Sequence, residues 1–160
     1  MNTIFFAEGI LTPLSSKAQI SYSFNIDKDC SCLYIDFTYR PKFLKSLEKS
    51  KELIINCLNK FEDENAEQKV QDWKKYRPIC NLLTVTIDDS MGFRGCAHRH
   101  TPNQRLFICS DSASPGFIPG DIAKGIWKAT ISVHGVITEK CHYSLCIWEG
   151  CKKNDEMDSR

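Results

Sequence analysis

Two histidines near the middle of the chain have the spacing that most directly suggests chemistry. His98 and His100 are separated by one residue in the run HRHT. On an extended strand, side chains two positions apart point to the same face, so both imidazoles could bind one divalent metal ion. Two ligands do not make a metal site, and the alternative is a solvated segment that contacts a ligand or a partner. The sequence offers four further ligands and places none of them nearby: Asp88, Asp89, His134 and His142.

The other two histidines lie on either side of the tripeptide at 138–140. If that tripeptide is a hairpin loop, His134 and His142 are diagonal neighbours on one polar face. We expect a solvated face, and a face that contacts a ligand or a partner is the alternative. The same face is predicted to carry Lys128, Thr130, Ser132 and Ser144.

Two glycine-rich runs indicate specialised backbone geometry. They are GFRG at 92–95, which is predicted to form a turn with Gly92 and Gly95, and SPGFIPG at 114–120. Proline fixes φ and the glycine after it can adopt the positive φ of a type II turn. The second run therefore predicts two successive tight turns, Pro115-Gly116 and Pro119-Gly120.

Side chains within these two runs also carry predictions. We expect Phe117 and Ile118, which lie between the two turns, to close one end of the fold. Arg94 lies in the glycine-flanked run, where it could pair with Asp88 or Asp89 or contact a ligand or a partner. An internal ion pair is the favoured interpretation.

The nine cysteines are many for 160 residues, but their number is odd. The N-terminal segment has no positive residue ahead of its apolar letters and no apolar run long enough for a signal peptide. We therefore expect a cytoplasmic protein whose thiols are free and act as small hydrophobic side chains. Cys57, Cys80 and Cys109 lie in or beside apolar runs and are predicted to be buried in the core.

Composition excludes several classes of protein. A content of 42% hydrophobic and 26% charged residues is typical of one globular domain. A formal net charge of +1 gives no field that would attract nucleic acid or anionic lipid, and no apolar run could span a membrane. The motifs GxSxG, P-loop and HExxH are absent, so no catalytic residue is assigned and no cofactor beyond a possible divalent metal is implied.

Hydrophobic periodicity predicts the elements that must position these residues. Segments 3–11, 19–26 and 32–40 alternate with period two, as strands do, and the alternation returns after Pro78. Between them, apolar residues at helical spacing predict one amphipathic helix over 46–62, followed by a polar loop over 63–77. This order predicts an all-β fold, an antiparallel, jelly-roll-like β-sandwich over 1–150 with one inserted α-helix and a polar tail at 151–160.

The two glycine-rich runs, in this order along the chain, also resemble those of a known family. The runs NLLTVTIDDSMGFRGCAHRH and SPGFIPGDIAKGIWKATISVHGVITEKCHYSL, with LYIDFTYRPK before the helix, lie within residues 4–149, the span of the resemblance. They are similar to the N-terminal β-sandwich domain of CehA/McbA-type metallohydrolases of the polymerase-and-histidinol-phosphatase (PHP) superfamily. In that family a catalytic metal-binding domain follows the sandwich, and this chain has no counterpart to it.

The resemblance implies a non-catalytic accessory domain with a PHP-type catalytic domain or protein as partner. The run HRHT is similar to the opening motif of the catalytic domain, but only 59 residues follow it, so no catalytic residue is carried over. Two alternatives stay open. One is a stand-alone metal-binding or metal-dependent hydrolase module that uses His98 and His100, and the other is a sandwich that binds carbohydrate or another small ligand.

Overall fold

The strands predicted from the period-two pattern form two antiparallel sheets in a computed structural model that describes residues 2–60 and 66–150. Sheet A has the order β1-β8-β3-β6 and sheet B the order β2-β7-β4-β5. Two four-stranded sheets with this order make a jelly roll, which confirms the predicted all-β sandwich. The strands are β1 (Asn2–Leu11), β2 (Gln19–Ile26), β3 (Cys32–Arg40), β4 (Leu82–Asp89), β5 (Gly92–Ala97), β6 (Asn103–Cys109), β7 (Gly125–Gly135) and β8 (Cys141–Gly150).

The core lies between the two sheets and is built from every second residue of the strands. In β3, Leu33, Ile35 and Phe37 are fully buried, and Ile131 of β7 faces them from sheet B. Each such side chain contributes about 1.5–3 kcal/mol by leaving water. The alternate residues point away from the core, so the polar half of each strand lines an outer face of the sandwich.

The predicted helix is present, and the predicted loop after it is partly helical. Helix α1 (Leu47–Leu58) begins after Ser46, whose hydroxyl accepts the N–H of Lys49 at 3.2 Å. A short helix α2 (Ala66–Gln71) and a 3-10 turn (Trp73–Tyr76) occupy the segment predicted as loop. Residues 61–65, which contain the end of the predicted helix and the start of that loop, and the predicted tail at 151–160 lie outside the described residues.

The predicted hairpin between β7 and β8 is wrong, because the two strands belong to different sheets. Asn81, which is fully buried, holds the connection between them. Its side-chain oxygen accepts the N–H of Ile137 at 2.8 Å, and its amide nitrogen donates to the Thr138 hydroxyl and the Pro41 carbonyl, each at 2.8 Å. The connection therefore crosses from one sheet to the other instead of turning within one.

The expectation of free thiols is wrong for Cys32 and Cys109, which form a disulfide between β3 and β6. Cys57 is exposed and Cys80 is half-buried, so of the three cysteines predicted for the core only Cys109 is buried. Disulfides are typical of oxidising compartments. Within residues 2–60 and 66–150, no helix is long and apolar enough to cross a membrane. The remaining described cysteines are free thiols: Cys30, Cys57, Cys80, Cys96, Cys141 and Cys146.

Candidate functional site

Arg94 is buried at one end of the sandwich, and its donors are used inside the protein. One guanidinium nitrogen lies 2.8 Å from a carboxylate oxygen of Asp89. The other contacts join Arg94 to the loop before β7, so the side chain ties that loop to sheet B. Its nitrogens lie 3.0–3.4 Å from the backbone oxygens of Ile118, Gly120 and Asp121.

Asp89 is held in its charged form by the same network. Burial by itself would raise the pKa of this carboxyl, but hydrogen bonds from Arg94 and from the N–H groups of Met91 and Gly92 outweigh it and lower the pKa. Its Oδ1 accepts those two N–H groups at 2.7 and 3.0 Å, while its Oδ2 accepts Arg94. The Arg94–Asp89 ion pair therefore joins the tight turn between β4 and β5 to the loop before β7.

The two glycine-rich runs contact each other directly. The prediction that the run GFRG forms a turn is wrong, because this run is the first part of strand β5. The run SPGFIPG pairs with the free edge of that strand. The N–H of Cys96 donates to the Gly116 carbonyl at 2.9 Å, and the N–H of Ile118 donates to the Arg94 carbonyl at 2.8 Å. The segment at 116–118 therefore covers the edge of sheet B as a short extra strand.

Close backbone approach explains two of the glycines. A Cβ on Gly95 would lie 2.5 Å from the Gly116 carbonyl oxygen, and a Cβ on Gly116 would lie 2.5 Å from the Cys96 carbonyl oxygen. Both glycines also have positive φ, +139° and +93°. The turn at Pro115-Gly116 is closed by the N–H of Phe117, which donates to the Ser114 carbonyl at 3.0 Å.

The second predicted turn is attached to sheet A rather than closed on itself. The N–H of Gly120, which follows Pro119, donates to the Cys109 carbonyl at 2.9 Å. Phe117 is buried in the core, as predicted, but Ile118 is half exposed, so the prediction that both close the end of the sandwich is wrong for Ile118. The loop therefore places one apolar side chain in the core and the next in solvent.

Ile118 is one of four exposed apolar side chains at this end of sheet B, which we call the end patch. Phe93 faces Asp88 across the β4–β5 pair, and Asp88 is paired in turn with Lys128 of β7. Ile126 lies two residues before Lys128 on the same outer face. The exposed fractions are 93% for Met91, 56% for Phe93, 51% for Ile118 and 60% for Ile126.

Register relates the end patch to the end of β8. Gly150 pairs with Cys32 at the start of β3, and Cys32 is joined to Cys109 at the end of β6. Cys109 in turn accepts the N–H of Gly120, two residues beyond Ile118. The last described residue of the chain therefore lies at the end of the sandwich that carries the end patch.

His98 and His100 lie in an irregular segment between β5 and β6, and both are exposed. They are not on a strand, so the shared face that strand alternation would give both imidazoles does not follow from the fold. Among residues 2–60 and 66–150 there is no group of three or more His, Cys, Asp or Glu side chains that could hold a metal ion. The segment is tied to sheet A two residues later, where the N–H of Tyr39 donates to the Pro102 carbonyl at 2.9 Å.

His134 and His142, predicted to be neighbours, lie on opposite outer faces of the sandwich. His134 is on sheet B, where its Nε2 lies 2.9 Å from the Thr84 hydroxyl. His142 is on sheet A, between Ile10 of β1 and Arg40 of β3. The predicted polar face is thus divided: Lys128, Thr130 and Ser132 accompany His134, and Ser144 accompanies His142.

The outer face of sheet A also carries a groove of about 630 Å³ near His142, which we call the sheet A groove. Adjacent rows of the register bring its side chains together from four strands. The alternation of each strand already marked these residues as outward, but the sequence does not say which strands are neighbours. The residues that line it are Glu8, Gly9, Ile10, Thr38, Tyr39, Arg40, Asn103, His142, Tyr143 and Ser144, of which Tyr39 and Tyr143 are buried.

The other half of this face is satisfied internally. Arg105 donates two hydrogen bonds to the Asp36 carboxylate, at 2.7 and 2.9 Å, and the Trp148 indole N–H donates to the same carboxylate at 3.2 Å. Tyr34 stacks on Trp148 with ring centroids 4.2 Å apart. One face of the Trp148 ring, the aromatic that a carbohydrate-binding sandwich would offer, is therefore covered by Tyr34.

Comparisons with known proteins do not assign a family. No known protein family matches the sequence, and no curated protein matches it. Among solved structures, a crystal structure of a protein from Sulfurospirillum deleyianum is 9% identical, with a TM-score of 0.33. That comparison covers 92% of this chain and 99% of the other.

Proposed function

We propose that this jelly roll is a non-catalytic accessory domain that acts beside a metal-dependent hydrolase of the PHP superfamily. The observation that carries the proposal is the end patch. Its residues Phe93 and Ile118 belong to the two interlocked glycine-rich runs on which the family resemblance rests. The runs thus have a structural role, since they fold this end of the sandwich, and a surface role, since they present apolar side chains to a partner.

Physical chemistry favours a protein partner at the end patch. Exposed apolar side chains grouped together and bordered by charge are typical of interaction surfaces. By register, the ion pair of Lys128 with Asp88, whose charged atoms lie 3.3 Å apart, lies between Phe93 and Ile126 on the same face. Full burial of each apolar side chain would contribute about 1.5–3 kcal/mol, and such anchors supply most of the energy of an interface.

The proposal is tested by co-purification from the organism that encodes the chain. Tagged wild-type protein should enrich a PHP-type hydrolase, identified by mass spectrometry, and the double variant Phe93→Ser and Ile118→Ser should lose it. Leu14→Ser is the matched control, because Leu14 is 97% exposed and lies outside the end patch. Failure to enrich any PHP-type protein, or equal enrichment by the double variant, would overturn the proposal.

The alternative of a metal-binding or metal-dependent hydrolase module predicts a different result. If His98 and His100 bind a catalytic metal, untagged protein should contain zinc, manganese or iron at one ion per chain, and His98→Ala should remove it. The accessory-domain proposal predicts substoichiometric metal in both proteins. Elemental analysis by mass spectrometry distinguishes the two outcomes.

The proposal also places the chain in the cytoplasm, with the PHP-type partner. The Cys32–Cys109 disulfide is unusual for that compartment, because disulfides are rare under reducing conditions. Cell fractionation of the tagged protein tests this placement. Recovery together with soluble cytoplasmic marker proteins would support it, and recovery in a secreted or periplasmic fraction would contradict it.

A further inference from the structure

We infer that the sheet A groove binds a short acidic carbohydrate, that is, a ligand of two or three sugar rings that carries a single carboxylate. The groove lies on sheet A, whereas the end patch lies on sheet B. The inference therefore goes beyond the proposed accessory function and does not depend on it. The volume of the sheet A groove, about 630 Å³, is within the usual range for small-molecule sites.

The polar side chains of the groove are available to a ligand. The side chains of Arg40, Glu8 and His142 have no hydrogen bond or ion pair to any other residue of 2–60 and 66–150. The hydroxyls of Thr38 and Ser144 and the side-chain amide of Asn103 are equally free within that part of the chain. In the neighbouring rows of the same face the polar side chains are paired, because Arg105 and Trp148 both donate hydrogen bonds to the Asp36 carboxylate.

The types of these free groups indicate the class of ligand. Hydroxyl, amide and imidazole groups both donate and accept hydrogen bonds, as sugar hydroxyls do. The guanidinium of Arg40 has the planar fork that binds a carboxylate through two parallel hydrogen bonds. The carboxylate of Glu8 can accept hydrogen bonds from sugar hydroxyls, and its charge opposes a ligand that carries several negative charges.

The arrangement of the groove excludes other small ligands. Tyr39 and Tyr143 also line the groove but are buried, and Ile10 is its one exposed apolar side chain, so the groove offers no exposed aromatic ring for a nucleobase and no channel for an acyl chain. Arg40 and Glu8 lie on strands that flank β8, one register row apart. Their Cα atoms are thus roughly 12 Å apart by strand spacing and rise, a separation that an extended ligand can bridge.

Isothermal titration calorimetry of the full chain with an acidic trimer, a galactose trimer in which one ring is replaced by galacturonic acid, tests the inference, alongside the neutral galactose trimer and a galactose phosphate. We expect the acidic trimer to bind at least about tenfold more tightly than the neutral one, because it adds a charge-assisted bidentate contact. Arg40→Ala should lose that advantage, and Arg40→Lys should recover only part of it. Arg77→Ala, an exposed arginine outside the groove, should bind like wild type.

Three results would overturn the inference. They are no binding of the acidic trimer at millimolar concentration, equal binding of the neutral trimer, and unchanged affinity in Arg40→Ala. Tighter binding of the galactose phosphate would also overturn the assignment of a single carboxylate. Thermal unfolding of each variant shows whether it is folded, and amide shifts in an NMR titration should be confined to sheet A.

Discussion

Replacement of Arg94 by alanine should destabilise the sandwich far more than replacement of Arg105, which also forms a close ion pair with an aspartate. Arg94 is buried and Asp89 is half-buried, with side chains only 10% and 13% exposed. Arg105 and Asp36 also form a close ion pair, but the Arg105 side chain is 69% exposed. Both are Arg–Asp pairs, so the comparison sets a buried network against an exposed ion pair.

The magnitude follows from what the Arg94→Ala variant leaves behind. Removal of one partner of a buried ion pair costs about 3–5 kcal/mol, because the other charge stays buried. Two backbone N–H groups still bind Asp89, which favours the lower part of that range. Three carbonyl groups of the loop before β7 also lose their donor, and the guanidinium no longer lies over the Trp127 ring, 5.2 Å from its centroid. We expect a loss of about 3–4 kcal/mol in the free energy of unfolding.

Chemical denaturation in urea at neutral pH measures this loss. Arg105→Ala is the control and should cost no more than about 1 kcal/mol, as exposed pairs do. Arg94→Lys keeps the charge but not the fork and should fall between wild type and Arg94→Ala. A natural domain of this size has about 5–15 kcal/mol of stability, so the alanine variant should still fold.

An Arg94→Ala cost equal to that of Arg105→Ala would refute the reasoning. It would mean that the Arg94 network does not hold the loop before β7 to sheet B. If Arg94→Ala does not fold, Arg94→Lys still tests the argument. A lysine variant as stable as wild type would show that the network needs only a positive charge.

Three further predictions concern pH, backbone space and the disulfide. Because the pKa of Asp89 is lowered by folding, its contribution is complete above the unfolded value of about 3.9 and is lost as the pH falls through the folded value. Urea titrations should therefore show that the stability difference between wild type and Asp89→Asn shrinks in acid; a constant difference contradicts this. Gly95→Ala should cost about 1–3 kcal/mol more than Gly125→Ala, because φ is similar at both but only Gly95 has backbone within 2.5 Å of the new Cβ; equal costs would count against close approach. Reduction of the disulfide should lower the unfolding free energy by up to about 4.5 kcal/mol, since it closes a loop with a separation of 77 residues; a melting curve insensitive to reductant would contradict this.

Much of the fold could be predicted because strand alternation is a local property. Leu33, Ile35 and Phe37 alternate with polar residues, and the structure buries those three and turns the others outward. Among the strands of residues 2–60 and 66–150, β5 is the one that the sequence did not reveal. Its run GFRG has two glycines and a buried arginine where a strand usually shows branched apolar residues, so composition predicted a turn.

The candidate site was less predictable because its residues come from strands that are distant in the chain. The outward position of Arg40 and His142 follows from alternation, but their contact depends on β8 lying beside β3. The same uncertainty produced the wrong hairpin, which placed His134 beside His142. Nothing in the pattern of either strand distinguishes a turn within one sheet from a crossing between two.

The amino-acid sequence by itself determined which residues face the core and where the helical insertion begins, because both depend on spacing over a few residues. Tertiary structure alone decided which strands are neighbours, and hence that the glycine-rich runs interlock around Arg94 and that the groove forms on sheet A. The physical reason is that inward apolar side chains are nearly interchangeable between strands. Strand order is chosen by long-range contacts such as those of the buried Asn81 amide, which hold each crossing in place.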